Sequence, residues 1–562
     1  MSYRTTFCIV NFSGKDITRI EFSNVSGFEN YSGDLKLLQE HTIAANASLC
    51  SYVELSNSGP SAYTLKLIFS DNTYLQFSDD QQQAMVKMVG LIPHQGNAQN
   101  LEVWRSSGGN VGSSTHGTNG IYIRSLPQPD NSSWMNELLR RKPDVTLNQL
   151  TMPGSHDAGV YTGHTTDYNL GGGGEWAATQ RLSILDQLKA GSRYFDMRVC
   201  WYGNDLVTYH GESGYGAYGA KLNTILGDVE TFLSSAEGMN EVVILRFKRP
   251  DIHSVHNSTS DTVAAVKNSP HLYKPASPNS NLATAKLSDL KGRFVAAFDN
   301  YYAGLWDRPN GVFPYYEIAD SNSTQATGLS VYDNYSNDGT FEQMNADQKP
   351  KLNKFGGWGN GYLFLLSWTL SGGGSVSDIE VLAGMANPWL PKKLSELIAN
   401  HGTEKPHTPN IVYIDFVDPY LCRAIIELNH RTLIRSYASA DARFTGNYLG
   451  EKPPDGSWQF EQPMFYAYTD NEPGTVPIHR FRATNPSRYY YTTSMNHGNS
   501  VGHYEGIAFY AFYPNIPPGA VPINQFYCDI GQTRIYMYSS ETKSHDGWIL
   551  SGVNFYAYPY RG

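Results

Sequence analysis

Between residue 135 and about residue 440 the chain repeats one pattern: a short, nearly continuous apolar run, an amphipathic segment, then another apolar run. The runs at 149–152, 194–199, 206–209, 242–247, 294–298, 362–366 and 411–416 have the length and the β-branched or aromatic content of buried strands. The segments at 184–190, 222–233 and 394–400 space their apolar residues as amphipathic helices do. Strands apolar on both faces need cover on both faces, and helical crossovers supply it. Over this length the alternation predicts a (β/α) TIM-type barrel.

Such a barrel carries its chemistry at the C-terminal ends of the strands. His156, Arg198, His210, Lys248 and Asp415 each stand at or just past the end of an apolar run, with Asp157 and Asp196 beside them. Cleaving a phosphodiester with an internal hydroxyl needs a base for the attacking hydroxyl, an acid for the leaving oxygen and a cation for the non-bridging oxygens. Two imidazoles oriented by carboxylates, with one guanidinium, supply all three. A lone histidine on a barrel is more often packed or solvated than reactive. Here two histidines, their candidate aspartates and an arginine converge in the order of the chain. His164, His253, His256, His401 and His407 lie in polar loops and read as solvated. The glycine run 171–174 is a rim loop, since no Gly-Lys-Ser/Thr follows it.

Pro153-Gly154-Ser155-His156-Asp157, Trp176-Ala177-Ala178-Thr179-Gln180, residues 191–198 and His210-Gly211 resemble the X-domain pattern of bacterial-type phosphatidylinositol-specific phospholipase C. Glu241-Val242-Val243-Ile244-Leu245-Arg246-Phe247-Lys248 is similar to that family's next strand with its lysine. Asp333-Asn334-Tyr335 is similar to its headgroup-contacting Asp-x-Tyr, and Val412-Tyr413-Ile414-Asp415-Phe416 to its late strand. The resemblance implies that His156, oriented by Asp415, is the base on an inositol hydroxyl. It implies that His210, paired with Asp157, is the acid, and that Arg198, steered by Asp196, holds the phosphate. Lys248, Asp333 and Tyr335 would line the headgroup pocket, and the product would be a cyclic inositol phosphate. Arg198 stands where the eukaryotic branch of the family holds calcium, so no metal and no other cofactor is expected. The strand 293–299 departs from the family: Asp299 stands where a headgroup-binding arginine is usual, which leaves the preference for plain phosphatidylinositol open.

Residues 1–125 read as all-β. The alternating run 63–69, the turn Ser70-Asp71-Asn72-Thr73 and the run 74–77 form a hairpin signature, and a β-sandwich is the expected solution. Its opening, residues 9–17, resembles the membrane-recognising sandwiches of the aegerolysin or actinoporin type; a structural or protein-binding sandwich is the alternative. Residues 126–133 read as a linker, 134–141 as a helix, and the barrel is placed at 126–450. In 451–562 Phe465-Tyr466-Ala467-Tyr468 recurs as Phe509-Tyr510-Ala511-Phe512 and Phe555-Tyr556-Ala557-Tyr558. This period suggests a trefoil-like or propeller-like β-repeat module. Its aromatics either stack on a glycan or form the module's own core, and core is expected for most of them.

The net charge of −10 argues against nucleic-acid binding. The five cysteines are scattered, without a C-x-x-C pair, and read as ordinary buried thiols rather than a disulfide framework or a zinc site. No run resembles a signal peptide or is long enough to span a bilayer. The expectation is a soluble protein, cytoplasmic or secreted without a cleaved signal, that works peripherally at a phospholipid membrane surface. Two other functions fit the pattern. One is a lipid- or glycan-binding toxin-like protein with the barrel as scaffold. The other is a phosphodiesterase of different headgroup specificity, of the glycerophosphodiesterase or sphingomyelinase D kind, which needs a metal held by clustered acids.

Overall fold

The computed structural model describes residues 3–28, 31–55, 61–81, 88–108, 117–161, 165–166, 177–211, 216–250, 258–277, 280–318, 325–371, 379–398, 408–439, 447–450, 453–472, 474–484, 487–514, 516, 520–531, 533–541 and 547–559. Trp176, the run 171–174, His164, His253, His256, His401 and His407 lie outside the described residues.

The centre of the molecule is a closed barrel of eight parallel strands: β1 (Met152–Ser155), β2 (Tyr194–Tyr202), β3 (Val242–Lys248), β4 (Arg293–Phe298), β5 (Val312–Ile318), β6 (Leu329–Tyr332), β7 (Leu363–Trp368) and β8 (Ile411–Ile414). Neighbours pair in chain order, and β1 closes the ring by pairing with both β2 and β8. The continuous apolar runs follow from this closure, because each strand is buried on both sides. In β3, Val242 and Ile244 join the core cluster that contains Tyr194 and Tyr413. Val243, Leu245 and Phe247 pack with Ile225 and Val229 of the helix Leu222–Ser234. Gly154 is needed where β1 passes its neighbours: a Cβ there would sit 2.8 Å from Ile411 Cγ2 and 3.4 Å from the Tyr194 ring.

Three features of the barrel differ from the sequence expectation. The first strand is Met152–Ser155, shifted past the run expected at 149–152, because Leu147–Gln149 closes a short helical turn before it. β5 and β6 were not among the expected strands; β6 has only four residues. The run expected at 206–209 belongs to a strand, Asp205–His210, that is not a stave of the barrel. β2 extends to Tyr202, the chain turns at Gly203 (φ 60°), and Asp205–His210 returns antiparallel. The apolar pattern is the same in either case; direction is set by the tight turn.

Flanking the barrel on the N-terminal side are two sheets. One has the strand order Ala47–Leu55, Tyr3–Phe12, Gly117–Ser125, Leu101–Gly108, Met88–Ile92; the other Ile17–Ser26, Ser61–Phe69, Tyr74–Gln81, Gln95–Gly96. Phe7 and Ile9 pack with Phe22, Leu65 and Leu67 of the second sheet. Cys8, Val10 and Phe12 join the barrel's cluster instead. The run Phe7 to Phe12 is therefore apolar on both faces, apart from Asn11, whose buried amide donates to the Ile43 and Ala44 carbonyls at 3.0 Å each. The antiparallel register sets Cys8 opposite Cys50, and the two are joined in a disulfide, which corrects the expectation of free thiols. The partner cysteine lies on a non-local strand, and that pairing leaves no trace in the spacing.

The C-terminal part holds three successive three-strand units: Arg431–Ser439, Tyr448–Gly450 and Trp458–Tyr468; Thr475–Thr484, Ser487–Thr492 and His503–Phe512; Val521–Ile530, Thr533–Ser539 and Ile549–Pro559. Phe465, Phe509 and Phe555, from the three repeats, meet edge to face with ring centroids 5.4–5.5 Å apart. They are core residues, 0–1% exposed. Arg431–Ser439 pairs along its length with Trp458–Tyr468, so the module starts ahead of the boundary expected at 451. Arg431–Ser439 reads locally like the end of the barrel; its partners on both sides, Tyr448–Gly450 and Trp458–Tyr468, decide to which unit it belongs. No helix among the described residues is long and apolar enough to cross a membrane.

Candidate active site

Side chains at alternate positions of the barrel strands point inward and stack in layers. The parallel register of β2 and β3 sets Asp196 beside Arg246 and Arg198 beside Lys248, one layer above the other. In the lower of these layers the Tyr413 hydroxyl donates to Asp196 Oδ2 at 2.7 Å, and Arg246 Nη1 lies 3.3 Å from Asp196 Oδ1. Arg246 Nη2 reaches Asp333 Oδ2 at 3.1 Å and also Glu317. Asp333 Oδ2 further accepts from the Tyr315 hydroxyl at 3.0 Å. Burial opposes the ionised Asp196, but Arg246 and Arg198 outweigh it and hold its carboxyl well below the usual range.

The rim layer holds the chemistry. His156 follows β1 and Asp415 follows β8, and the pairing of these strands brings His156 Nδ1 to 2.8 Å from Asp415 Oδ1. The proton on this edge is thus fixed by a carboxylate, and Nε2 faces the cavity. Arg198 Nη2 stands 3.4 Å from that Nε2, and Arg198 Nε is 2.7 Å from Asp157 Oδ1. Asp157 Oδ2 lies 3.3 Å from His156 Nε2 and 3.4 Å from His210 Nε2, so one buried carboxylate addresses both imidazoles. The ring centroids of His156 and His210 are 5.6 Å apart. Both imidazoles and Arg198 keep a partly open edge, with side chains 13–17% exposed, while Asp157 and Asp196 are closed off.

The segment Ala177 to Gln180 braces these loops. His210 Nδ1 donates to the Ala177 carbonyl at 2.8 Å, and Thr179 Oγ1 donates to the Asp157 carbonyl at 2.8 Å. Gln180 Nε2 donates to the His156 carbonyl at 3.0 Å, while its Oε1 accepts from Val417 N at 2.8 Å. Asp157 and Phe416 both have positive φ, 37° and 53°. Such backbone strain is sustained only where surrounding bonds impose it, and here they do.

Charge differs between the two imidazoles. Burial would lower the His156 pKa, but Asp415 and Asp157 overcome it and the net shift is upward from 6.5. Burial, then His156 and Arg198, push His210 down to about 3. Burial lifts the Asp157 carboxyl to about 6, with Arg198 and His156 opposing. His156, Asp157 and His210 each offer a ligand atom within 4.8 Å of one another, a spacing that could hold a cation. The Arg198 guanidinium on Asp157 sets a fixed positive charge beside any ion held there.

The structure thus brings together His156, Asp157, Asp196, Arg198, His210 and Asp415. Lys248 ends β3 in the rim layer, and its charge helps to hold Asp157 and Asp196 ionised. Asp333 lies inside the barrel on Arg246. Tyr335, two residues on, is 54% exposed and makes no hydrogen bond to this cluster among the described residues. Asp299 caps the short helix Asn300–Leu305, accepting from Tyr301 N and Arg249 N at 3.0 Å each. Arg246, Tyr413 and Gln180 were given no role from sequence. Their signal was present: Arg246 and Tyr413 stand two residues before Lys248 and Asp415, so they share the inward face of their strands.

Residues 448–558 match the model of a domain of unknown function, DUF5648. The 1-phosphatidylinositol phosphodiesterase of Staphylococcus aureus (strain Newman) is 27% identical over 217 residues, 38% of this chain and 59% of its own. The enzyme of the same name from Listeria monocytogenes is 28% identical over 177 residues, 30% of this chain and 49% of its own. A PI-PLC X domain-containing protein of Dictyostelium discoideum is 29% identical over 117 residues, 18% of this chain and 20% of its own. The chain thus spans less than two thirds of each of these relatives. Among solved structures, a phosphatidylinositol-specific phospholipase C from Staphylococcus aureus aligns over 53% of this chain and 97% of its own, with 22% identity and a TM-score of 0.39.

Proposed function

From a central region related to the phosphatidylinositol phosphodiesterases and PI-PLC X domain proteins, we propose that this chain is a phospholipase C-type phosphodiesterase acting on a phosphatidylinositol-like or glycosylphosphatidylinositol lipid. The observation that carries it is the pair of imidazoles whose Nε2 atoms face one Arg198–Asp157 pair from two sides. His156 Nε2 takes the proton of the hydroxyl next to the phosphate, and that oxygen attacks phosphorus. Arg198 offsets the charge on the non-bridging oxygens. His210 Nε2 delivers a proton to the departing glycerol oxygen, which leaves a cyclic phosphate on the inositol. Burial and the charges of His156 and Arg198 hold the His210 pKa low; an anionic phosphate between these groups offsets that charge and favours the protonated His210.

Arg198 supports a reaction without a metal. The two N-terminal sheets are read as one β-sandwich that recognises the phospholipid surface, and residues 451–562 as a glycan-binding module. Tethering of this kind raises the local substrate concentration. The Cys8–Cys50 disulfide favours an oxidising compartment over the cytoplasm.

The test is phosphate-ester cleavage of phosphatidylinositol, a glycosylphosphatidylinositol-anchored protein and sphingomyelin, with and without EDTA. Cleavage of an inositol lipid that persists in EDTA and falls on the order of 10²–10⁴-fold in His210→Ala supports the reading. Activity abolished by EDTA removes the metal-free mechanism. Membrane activity intact in His156→Ala favours a binding protein with the barrel as scaffold.

A further inference from the structure

A cavity of about 710 Å³ lies where the N-terminal five-stranded sheet meets the barrel. Its wall includes Trp104 and Tyr122 of that sheet, Ala383 of the helix Ile379–Ala386, and Phe416 and Val417 just past Asp415. His156, Arg198 and His210 do not line it. The volume is that of an organic-ligand site, typically about 300–1,000 Å³.

Two wall residues carry buried polar atoms without partners. Asn387 is 6% exposed; its Nδ2 donates to the Asp415 carbonyl at 3.0 Å, and its Oδ1 has no hydrogen-bond partner among the described residues. Arg124 shares the barrel-facing side of the sheet with Tyr122; it pairs through Nη2 with Asp418 at 2.8 Å, and its Nε has no partner among them. Buried acceptors and donors are nearly always satisfied, so this acceptor and this donor together point to a hydroxyl-bearing occupant.

Charge narrows the class. On the wall, Arg124 pairs with Asp418 at 2.8 Å and Arg181 with Glu380, while Lys189 shares the wall with Asp130 and Asp186. Each of these guanidiniums is already neutralised, so an anion would have to compete with a carboxylate and a cation would face the arginines. Paired carboxylates and guanidiniums still offer spare lone pairs and N–H groups, the complement of hydroxyls that both accept and donate. Trp104 and Phe416 add apolar faces suited to the C–H side of a ring.

We propose that this cavity binds a neutral polyhydroxylated ring, a mono- or disaccharide, at a site separate from the catalytic cluster. The inference stands whether or not the barrel cleaves a phosphodiester. Through Asn387 the occupant would contact the backbone that carries Asp415.

The experiment is calorimetric titration of the full chain with maltose, chitobiose and mannobiose, with inorganic phosphate and choline as charged comparators. Ala383→Trp fills the cavity and Trp104→Ala removes its aromatic wall; circular dichroism and the thermal midpoint check that each folds. Saturable binding of at least one sugar, weakened about tenfold or more by either substitution and not displaced by phosphate or choline, is expected. The absence of sugar binding overturns the proposal. So does sugar binding that survives both substitutions, which would place it elsewhere, or binding of phosphate or choline lost in both variants.

Discussion

His156 and Asp415 are 259 residues apart in the chain, yet Nδ1 of one lies 2.8 Å from Oδ1 of the other. The closing β1–β8 pairing of the barrel makes this contact. Asp415→Asn removes the charge that fixes the imidazole's proton on Nδ1 and raises its pKa. kcat should fall on the order of 10²–10⁴-fold with the fold intact. The active form needs His156 neutral and His210 protonated, the reverse of their order in the free protein. The alkaline limb of kcat/KM therefore carries the higher, His156-type pKa and should move to lower pH in the variant. An unmoved limb would detach Asp415 from His156 in the reaction.

Arg246 is a 2% exposed cation on Asp196, Asp333 and Glu317, with its guanidinium 4.6 Å from the Tyr315 ring centroid. Arg246→Met leaves Asp333 without its cation and Asp196 with only Arg198, and should destabilise the protein by about 3–5 kcal/mol in urea unfolding. Arg246→Lys keeps the charge but not the fork that reaches several carboxylates, and should recover only part of it. A loss below about 1 kcal/mol for Arg246→Met would show that the acids are solvated or protonated instead.

His210 bears on acid stability. Its pKa is lowered from 6.5 to about 3 in the folded protein, so the folded state disfavours its proton. The stability it lends is complete above pH 6.5 and is lost as pH falls toward 3, because the unfolded chain takes up the proton first. The urea midpoint of His210→Asn should accordingly fall less steeply between pH 6.5 and 4 than that of the unmodified protein. Parallel slopes would mean that the imidazole is solvated.

The Cys8–Cys50 disulfide closes a loop with a sequence separation of 42. Cys8→Ser with Cys50→Ser, or reduction of the intact protein, should cost the N-terminal sheets about 2–4 kcal/mol, seen as a lower thermal midpoint. An unchanged midpoint on reduction, with both thiols then reactive, would show that the bond contributes nothing.

Much of the barrel was legible because its signals are local. β2 to β4, β7 and β8 follow the expected apolar runs, whose ends carry polar residues that stand together at the rim; β1, Met152–Ser155, shares only Met152 with its expected run 149–152. β5 escaped because Val312-Phe313-Pro314-Tyr315-Tyr316-Glu317-Ile318 mixes a proline and an acid into its run. β6, four residues long, gives too short a pattern to stand out. Asp299 was placed in the pocket by the family resemblance, where a headgroup-binding arginine is usual; in the structure its carboxylate accepts from two backbone N–H groups. Whether a polar group at a strand end faces the cavity or caps the next turn depends on backbone direction beyond the strand, which the residue type does not encode.

By itself, the sequence determined the alternation of strand and helix, and with it the barrel, the residues at its mouth and the threefold aromatic repeat. Apolar periodicity and strand-end chemistry are properties of neighbouring residues. Only the tertiary structure decided that β1 closes on β8 and so gives His156 its carboxylate, that Cys8 meets Cys50, that Arg246 anchors the inner acids, and that the strand ending at His210 returns antiparallel. The first three depend on register between distant segments, and the last on the tight turn at Gly203. Register is fixed by which buried faces fit together once the whole chain has folded.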